Sequence, residues 1–189
     1  MSPDPKGIEA QIEAAKPEPN ARPPLEKWDP EFSGDIDIRI ARDGDWYYQG
    51  EKMAREALVR LFSTILRRED DGEYYLVTPV EKWRIKVEDT PLMAHNVTVM
   101  GEGQQQKVEV TTNTGESITL GREHSLHMDT YPGSDEPRPL VDMYHGLQAR
   151  LGTAAFYELV RYVTDNPDGT HQSVGVWSDG VFFELGKGA

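Results

Sequence analysis

Lys82, Arg84 and Lys86 stand two residues apart in the run Lys82-Trp83-Arg84-Ile85-Lys86-Val87. Successive side chains of an extended chain point to opposite faces, so this spacing puts three cations on one face and Trp83, Ile85 and Val87 on the other. In a chain of formal net charge −13, such a row concentrates positive potential where an anionic small molecule, a nucleotide phosphate for example, can dock. Arg would grip it in bidentate fashion and Lys would add a point charge. The plainer reading is a solvated face paired with Glu81 and Glu88. Two other groupings have the residue types of catalysis. Asp35-x-Asp37 resembles acidic pairs that bind a divalent ion or serve as nucleophile and acid in phosphoryl transfer. Such an aspartate follows an apolar strand, however, and here Glu31-Phe32-Ser33-Gly34 precedes it. His124-x-x-His127-x-Asp129 offers metal-ligand types, but on a strand positions 124 and 127 face opposite ways. Gly101-x-Gly103 lacks the third glycine and the following helix of a dinucleotide fingerprint. Neither a phosphate-binding Gly-Lys-Ser/Thr loop nor a Gly-x-Ser-x-Gly elbow is present. On these grounds no catalytic residue, metal site or cofactor is assigned.

Composition excludes further classes. The chain has no cysteine, which rules out disulfides, thiolate zinc sites and a thiol nucleophile. Its acidity disfavours nucleic acid and anionic membrane surfaces, whose binding draws on Lys and Arg. No run approaches the roughly 20 apolar residues of a membrane span. The start, Met1-Ser2-Pro3-Asp4-Pro5-Lys6, lacks the basic-then-apolar pattern of a secretory signal, so a cytoplasmic location is expected. With 37% hydrophobic and 28% charged residues over 189 positions, the chain can bury a core in one medium domain or two small ones.

The elements that must carry these residues read as α+β. Ile8, Ile12 and Ala15 at helical spacing suggest a short helix, either docked or frayed. Proline interrupts the segment from Pro17 to Pro30, which reads as a linker. Ile36, Ile38 and Ile40 alternate with Asp35, Asp37 and Arg39 as in a half-buried strand, and Asp43-Gly44 starts a hairpin returning through Trp46-Tyr47-Tyr48. Leu58, Leu61, Phe62, Ile65 and Leu66 form one apolar helical stripe, with Arg67-Arg68 near the negative end of the helix dipole. Strands follow at Tyr74 to Thr78 and at Lys82 to Val87. An antiparallel meander is expected from Asn96 to Leu120, a loop from Tyr131 to Pro139, and a second helix from about Leu147 or Thr153 to Val163. A hairpin turning at Asp179-Gly180 closes the chain. Asp-Gly-x-aromatic-aromatic recurs at Asp43, Asp71 and Asp179. It reads either as hairpin chemistry or as a duplicated hairpin-plus-helix unit forming two small lobes. The expected boundaries are an N-terminal helix and linker over 1–33, a first α+β domain over 34–90 and a second over 91–189.

The run Gly34-Asp35-Ile36-Asp37-Ile38-Arg39-Ile40, then Asp43-Gly44-x-Trp46-x-Tyr48, Leu58-Val59-Arg60-Leu61-Phe62, Leu66-Arg67-Arg68 and Leu76-Val77-Thr78-Pro79-Val80-Glu81-Lys82, resembles the uncharacterised proteobacterial family catalogued as domain of unknown function 1285. Beyond Pro91 the likeness is looser and rests on Ala149-Arg150-Leu151, Phe156-Tyr157-Glu158-Leu159-Val160 and Gly175-Val176-Trp177-Ser178. The resemblance implies a duplicated α+β core, a second domain similar to a pleckstrin-homology barrel with helix, a cleft suited to a nucleotide-type ligand, and a part in signal transduction. The expectation is therefore a ligand-binding or signalling protein, not an enzyme, which holds an anionic small molecule between its domains at Arg39, Lys82, Arg84 and Arg150. Two alternatives stay open. One is a metal-dependent hydrolase using Asp35 and Asp37 or His124, His127 and Asp129; the other is an adaptor with a protein partner.

Overall fold

In the computed structural model, which describes residues 3–168 and 172–187, the chain is α+β and divides into two compact units. One is Met1–Pro91 with His145–Leu147, the other Leu92–Tyr144 with Gln148–Ala189. Among the described residues no helix is long and apolar enough to cross a membrane.

In the first unit the isoleucine alternation produces β1 (Gly34–Ile40), with Ile36, Ile38 and Ile40 buried. β2 (Trp46–Tyr48) and β3 (Glu51–Lys52) follow. The β2–β3 turn puts Gln49 and Gly50 at φ of 51° and 82°, the left-handed pair that a two-residue hairpin requires. The apolar stripe yields a shorter helix than its spacing predicts. Helix α2 spans Glu56–Ser63, and Leu66–Arg68 is strand β4, so Arg67 and Arg68 sit in a sheet and not at a helix end. The Ser63 and Thr64 hydroxyls donate back to the carbonyls of Arg60 and Leu61, and these local bonds compete with continued helix. Strands β5 (Tyr74–Val77) and β6 (Lys82–Val87) complete a sheet of order β3-β2-β1-β6-β5-β4. The N-terminal helix α1 (Pro5–Ala15) is docked: Asp4 caps it, Ile8 and Ile12 are buried, and Gln11 bonds to Thr78 and Glu81.

The second unit repeats this topology. The expected meander is β7 (Leu92–Met100), β8 (Lys107–Thr112) and β9 (Ser117–Thr119). It continues through β10 (Leu126–Thr130), β11 (Pro137–Asp142) and β12 (Gln148–Leu151) in the order β10-β11-β12-β7-β8-β9. In each sheet three strands walk outward, three walk back, and the first and last lie side by side as the parallel pair, β1 with β6 and β7 with β12. The helix falls between the third and fourth strands in one unit and after the sixth in the other, where α3 is Thr153–Val160. Two expectations need correction. The loop after Tyr131 ends earlier, because Pro137 and Pro139 are inside β11. Strand β12 reaches only as far as Leu140, so the prolines lie where β11 has a neighbour on one side. Residues 148–151, which fall inside the expected helix if it starts at Leu147, are a strand instead, and the helix runs from Thr153 to Val160. A three-stranded sheet, β13 (Thr164–Asp165), β14 (Ser173–Ser178) and β15 (Val181–Lys187), ends the unit.

Candidate functional site

Cross-strand registers place Arg39, Arg67, Lys82, Arg84 and Lys86 on one face of the first unit's sheet. Arg39 lies opposite both Tyr47 and Lys86, and Arg84 lies opposite both Asp35 and Tyr75, which in turn faces Arg67. Partners in such pairs project to the same side, so this face alternates cations with aromatic rings. The Arg39 guanidinium sits 4.5 Å from the Tyr47 ring centre, Arg84 lies 5.3 Å from that of Phe32, and the Lys82 ammonium lies 4.9 Å from that of Tyr75.

Each of the three expected cations here has a carboxylate partner, and only one partner is an expected neighbour. Arg84 grips Asp35 with Nε and Nη2 at 2.6 and 3.1 Å. Those bonds hold the Asp35 carboxyl below the usual range and raise Arg84. Arg39 bonds Glu88 at 2.6 Å. Lys82 reaches Glu69 at 2.8 Å, and Arg67 takes the other oxygen of that carboxylate at 2.6 Å. Burial pushes the Glu69 carboxyl up, but the bonds from Lys82 and Arg67 outweigh it and hold it below the ordinary range. Glu81 accepts instead from Trp83 and Gln11. The ion pairs of Arg39 and Arg84 are solvent-exposed, whereas Lys82 is committed to a half-buried cluster. Lys86 is exposed, and its side chain has no hydrogen bond or ion pair with a described residue. Arg150 belongs to β12 of the second unit, where its Nη2 lies 3.6 Å from Met93 Sδ.

The Asp35/Arg84 pair borders an irregularity. Asp35 pairs with Arg84 and Arg39 with Lys86, so three residues of β1 stand against one of β6. A depression of about 550 Å³ lies there, lined by Asp35, Asp37, Glu73, Arg84, Lys86 and three isoleucines. The first unit also has a groove of about 920 Å³ bordered by α1, α2 and residues 19–23, where Glu9 grips Arg55.

Tyr75 is the most perturbed group on this face. Its hydroxyl donates to the Asp71 carboxylate, and with burial this pushes the phenol up to about 12. A raised folded value means that the stability this bond supplies is complete below pH ~10 and is lost as pH rises through the folded value. In an alkaline absorbance titration, the phenol missing from Tyr75→Phe is expected to ionise near pH ~12 in the wild type and nearer pH ~10 in Asp71→Asn. A wild-type transition at ordinary pH would show that the bond does not form.

The histidine cluster is arranged around a residue that sequence reading missed. His127 Nε2 donates to Asp142 Oδ2 at 2.7 Å, Gln148 donates to Oδ1 at 3.1 Å, and His124 Nδ1 donates to the Asp142 carbonyl at 2.9 Å. Asp129 is engaged by Arg138. Asp142 and Gln148 become visible as neighbours only through the β11–β12 register. Among the described residues no three His, Cys, Asp or Glu side chains group as metal ligands.

Family models describe both parts of the chain. The N-terminal domain of the domain of unknown function DUF1285 matches residues 23–90, and the C-terminal domain of the DUF1285 protein of unknown function matches residues 91–185. The chain belongs to the DUF1285 family. A crystal structure of a DUF1285 protein from Silicibacter pomeroyi DSS-3 is 41% identical, with a TM-score of 0.85 over 96% of this chain and 95% of that one. A second DUF1285 protein, from Shewanella baltica OS155, is 30% identical, with a TM-score of 0.52 over 66% of this chain and 90% of that one. The comparison with curated proteins finds no match. The α1 helix precedes the stretch matched by the DUF1285 N-terminal model.

Proposed function

We propose that the protein is a ligand-binding protein with a sensing or signalling role, which takes the anionic group of a small molecule on the cationic and aromatic face of its first sheet. The observation that supports this most is Lys86. It is an exposed cation whose side chain makes no hydrogen bond or ion pair with a described residue, set opposite Arg39 and one alternation from Arg84 on the same strand. A phosphate or carboxylate at Lys86 would draw in both arginines by exchanging exposed ion pairs that are each worth only about 0–1 kcal/mol. A nucleotide is one ligand with the required phosphate. We read the second unit, a strand meander with a following helix, as similar to a pleckstrin-homology domain.

The test is a thermal-shift series on the full chain with inorganic phosphate, nucleoside diphosphates and carboxylates. A ligand at ~100 times its dissociation constant adds ~2.7 kcal/mol, or roughly 5–10 °C for a chain of this size. Lys86→Ala and Arg84→Ala are each expected to abolish the shift. Equal shifts in wild type and both variants would place binding elsewhere, and no shift with any anion would end the proposal. A second reading, as a protein-interaction adaptor, draws on α3. There Tyr157 is 67% exposed and Tyr162 and Val163 are exposed just beyond it, an apolar patch of the kind that marks interaction surfaces.

A further inference from the structure

The depression beside β1 and β6 has the wrong charge balance for a ligand that is only an anion. Three carboxylates, Asp35, Asp37 and Glu73, line it against two cations, Arg84 and Lys86, which leaves one negative charge in excess. Asp35 and Arg84 are paired in bidentate fashion before a ligand arrives, and an anion that draws Arg84 toward Lys86 leaves Asp35 as a further carboxylate beside it. Outside that pair are Lys86, Asp37 and Glu73. None of these three side chains forms a hydrogen bond or ion pair with a described residue, and all three are exposed.

Their placement follows from the sheet. Lys86 is on β6, Asp37 is on the neighbouring β1, and Glu73 immediately precedes β5, the neighbour on the other side. The β5–β6 register, with Tyr74 opposite Ile85, carries Glu73 to the position opposite Lys86. Adjacent strands are ~4.8 Å apart, so an anion seated on Lys86 lies within about two strand spacings of both carboxylates. At that range their repulsion offsets much of the attraction from the lysine. A ligand with a positive group a few bonds from its negative one turns that repulsion into a second attachment. The depression, at about 550 Å³, falls within the ~300–1,000 Å³ of small-molecule sites.

We infer that the ligand is zwitterionic: a small molecule whose phosphate or carboxylate meets Lys86 and whose ammonium or guanidinium meets Asp37 and Glu73. This rests on the anion-binding reading above and narrows its ligand class. The depression lies where residues 36–38 of β1 stand against Ile85 alone.

Two probes separate the ideas, since ethyl phosphate and phosphoethanolamine differ only in the terminal ammonium. In calorimetric titrations of the full chain at low salt, phosphoethanolamine is expected to bind at least ~10-fold more tightly, a difference of about 1.4 kcal/mol. In the double variant Asp37→Asn with Glu73→Gln the two probes should bind within about twofold, with ethyl phosphate tighter than on the wild type because its repulsion has been removed. Ethyl phosphate binding as well as phosphoethanolamine to the wild type would overturn the zwitterion and leave the anion site standing. Binding of neither would overturn both. The wild-type comparison needs no variant to fold.

Discussion

Gly175→Ala is expected to destabilise the second unit by about 3 kcal/mol or more, although glycine in a strand is usually a residue to improve upon. A Cβ at position 175 would stand 2.1 Å from the Phe183 carbonyl oxygen and 2.8 Å from the tip of the Phe182 ring. The oxygen is main chain and cannot rotate away. The cause is a bulge. Val174 pairs with Gly186 and Gly175 with Glu184, so Leu185 is an extra residue in β15. That kink brings the β15 backbone up against β14 at the one position without a side chain. Gly186→Ala is the internal control, since a Cβ there meets nothing within 4 Å. At about 2–4 °C per kcal/mol, Gly175→Ala should lower the melting temperature by roughly 6–12 °C and Gly186→Ala by little. Equal melting of both variants would mean that the hairpin is not bulged in this way.

The same hairpin shows how far sequence reading reaches. Its turn was legible, because Asp179 and Gly180 at φ of 50° and 78° are the residue types that tolerate left-handed backbone. The bulge four residues from that turn was not, since it depends on which residue faces which. The three Asp-Gly-aromatic runs do mark hairpins, at β1–β2, β4–β5 and β14–β15. The third lies outside the repeated six-strand sheet, however, while the true counterparts of the first two, at β7–β8 and β10–β11, lack the motif. The motif therefore reports turn chemistry, and the duplication is a matter of strand order. Ile65 and Leu66 extended the helical stripe because a buried residue looks the same to a hydrophobic pattern whether a helix or a strand buries it. The face of the candidate site was legible strand by strand, from period-two alternation in β1 and β6. Its pairings were not. Arg84 meets Asp35 through parallel strands 49 residues apart in sequence, and nothing local announces such a partner.

Ser178→Ala is expected to cost about 2–4 kcal/mol, although it removes one atom and leaves the strand intact. Ser178 is fully buried at the end of β14. Its hydroxyl accepts from the Val108 N–H at 2.9 Å and donates to the Leu120 carbonyl at 2.7 Å. The terminal three-stranded sheet is therefore stitched to β8 and to the end of the β9 segment by one oxygen. Neighbouring bonds run the same way, from Gln106 Nε2 to the Trp177 carbonyl and from the Asp179 N–H to the Gln106 carbonyl. Alanine would strand a main-chain donor and acceptor where water does not reach, at ~1–3 kcal/mol for each unsatisfied group. Because the lost bonds tie the hairpin down, amide exchange should show β14 and β15 opening before the six-stranded sheet in the variant, where the wild type opens them together. If Ser178→Ala melts like the wild type, the hydroxyl is not the bridge and the hairpin is held by its apolar contacts, among them buried Val176 and Phe183.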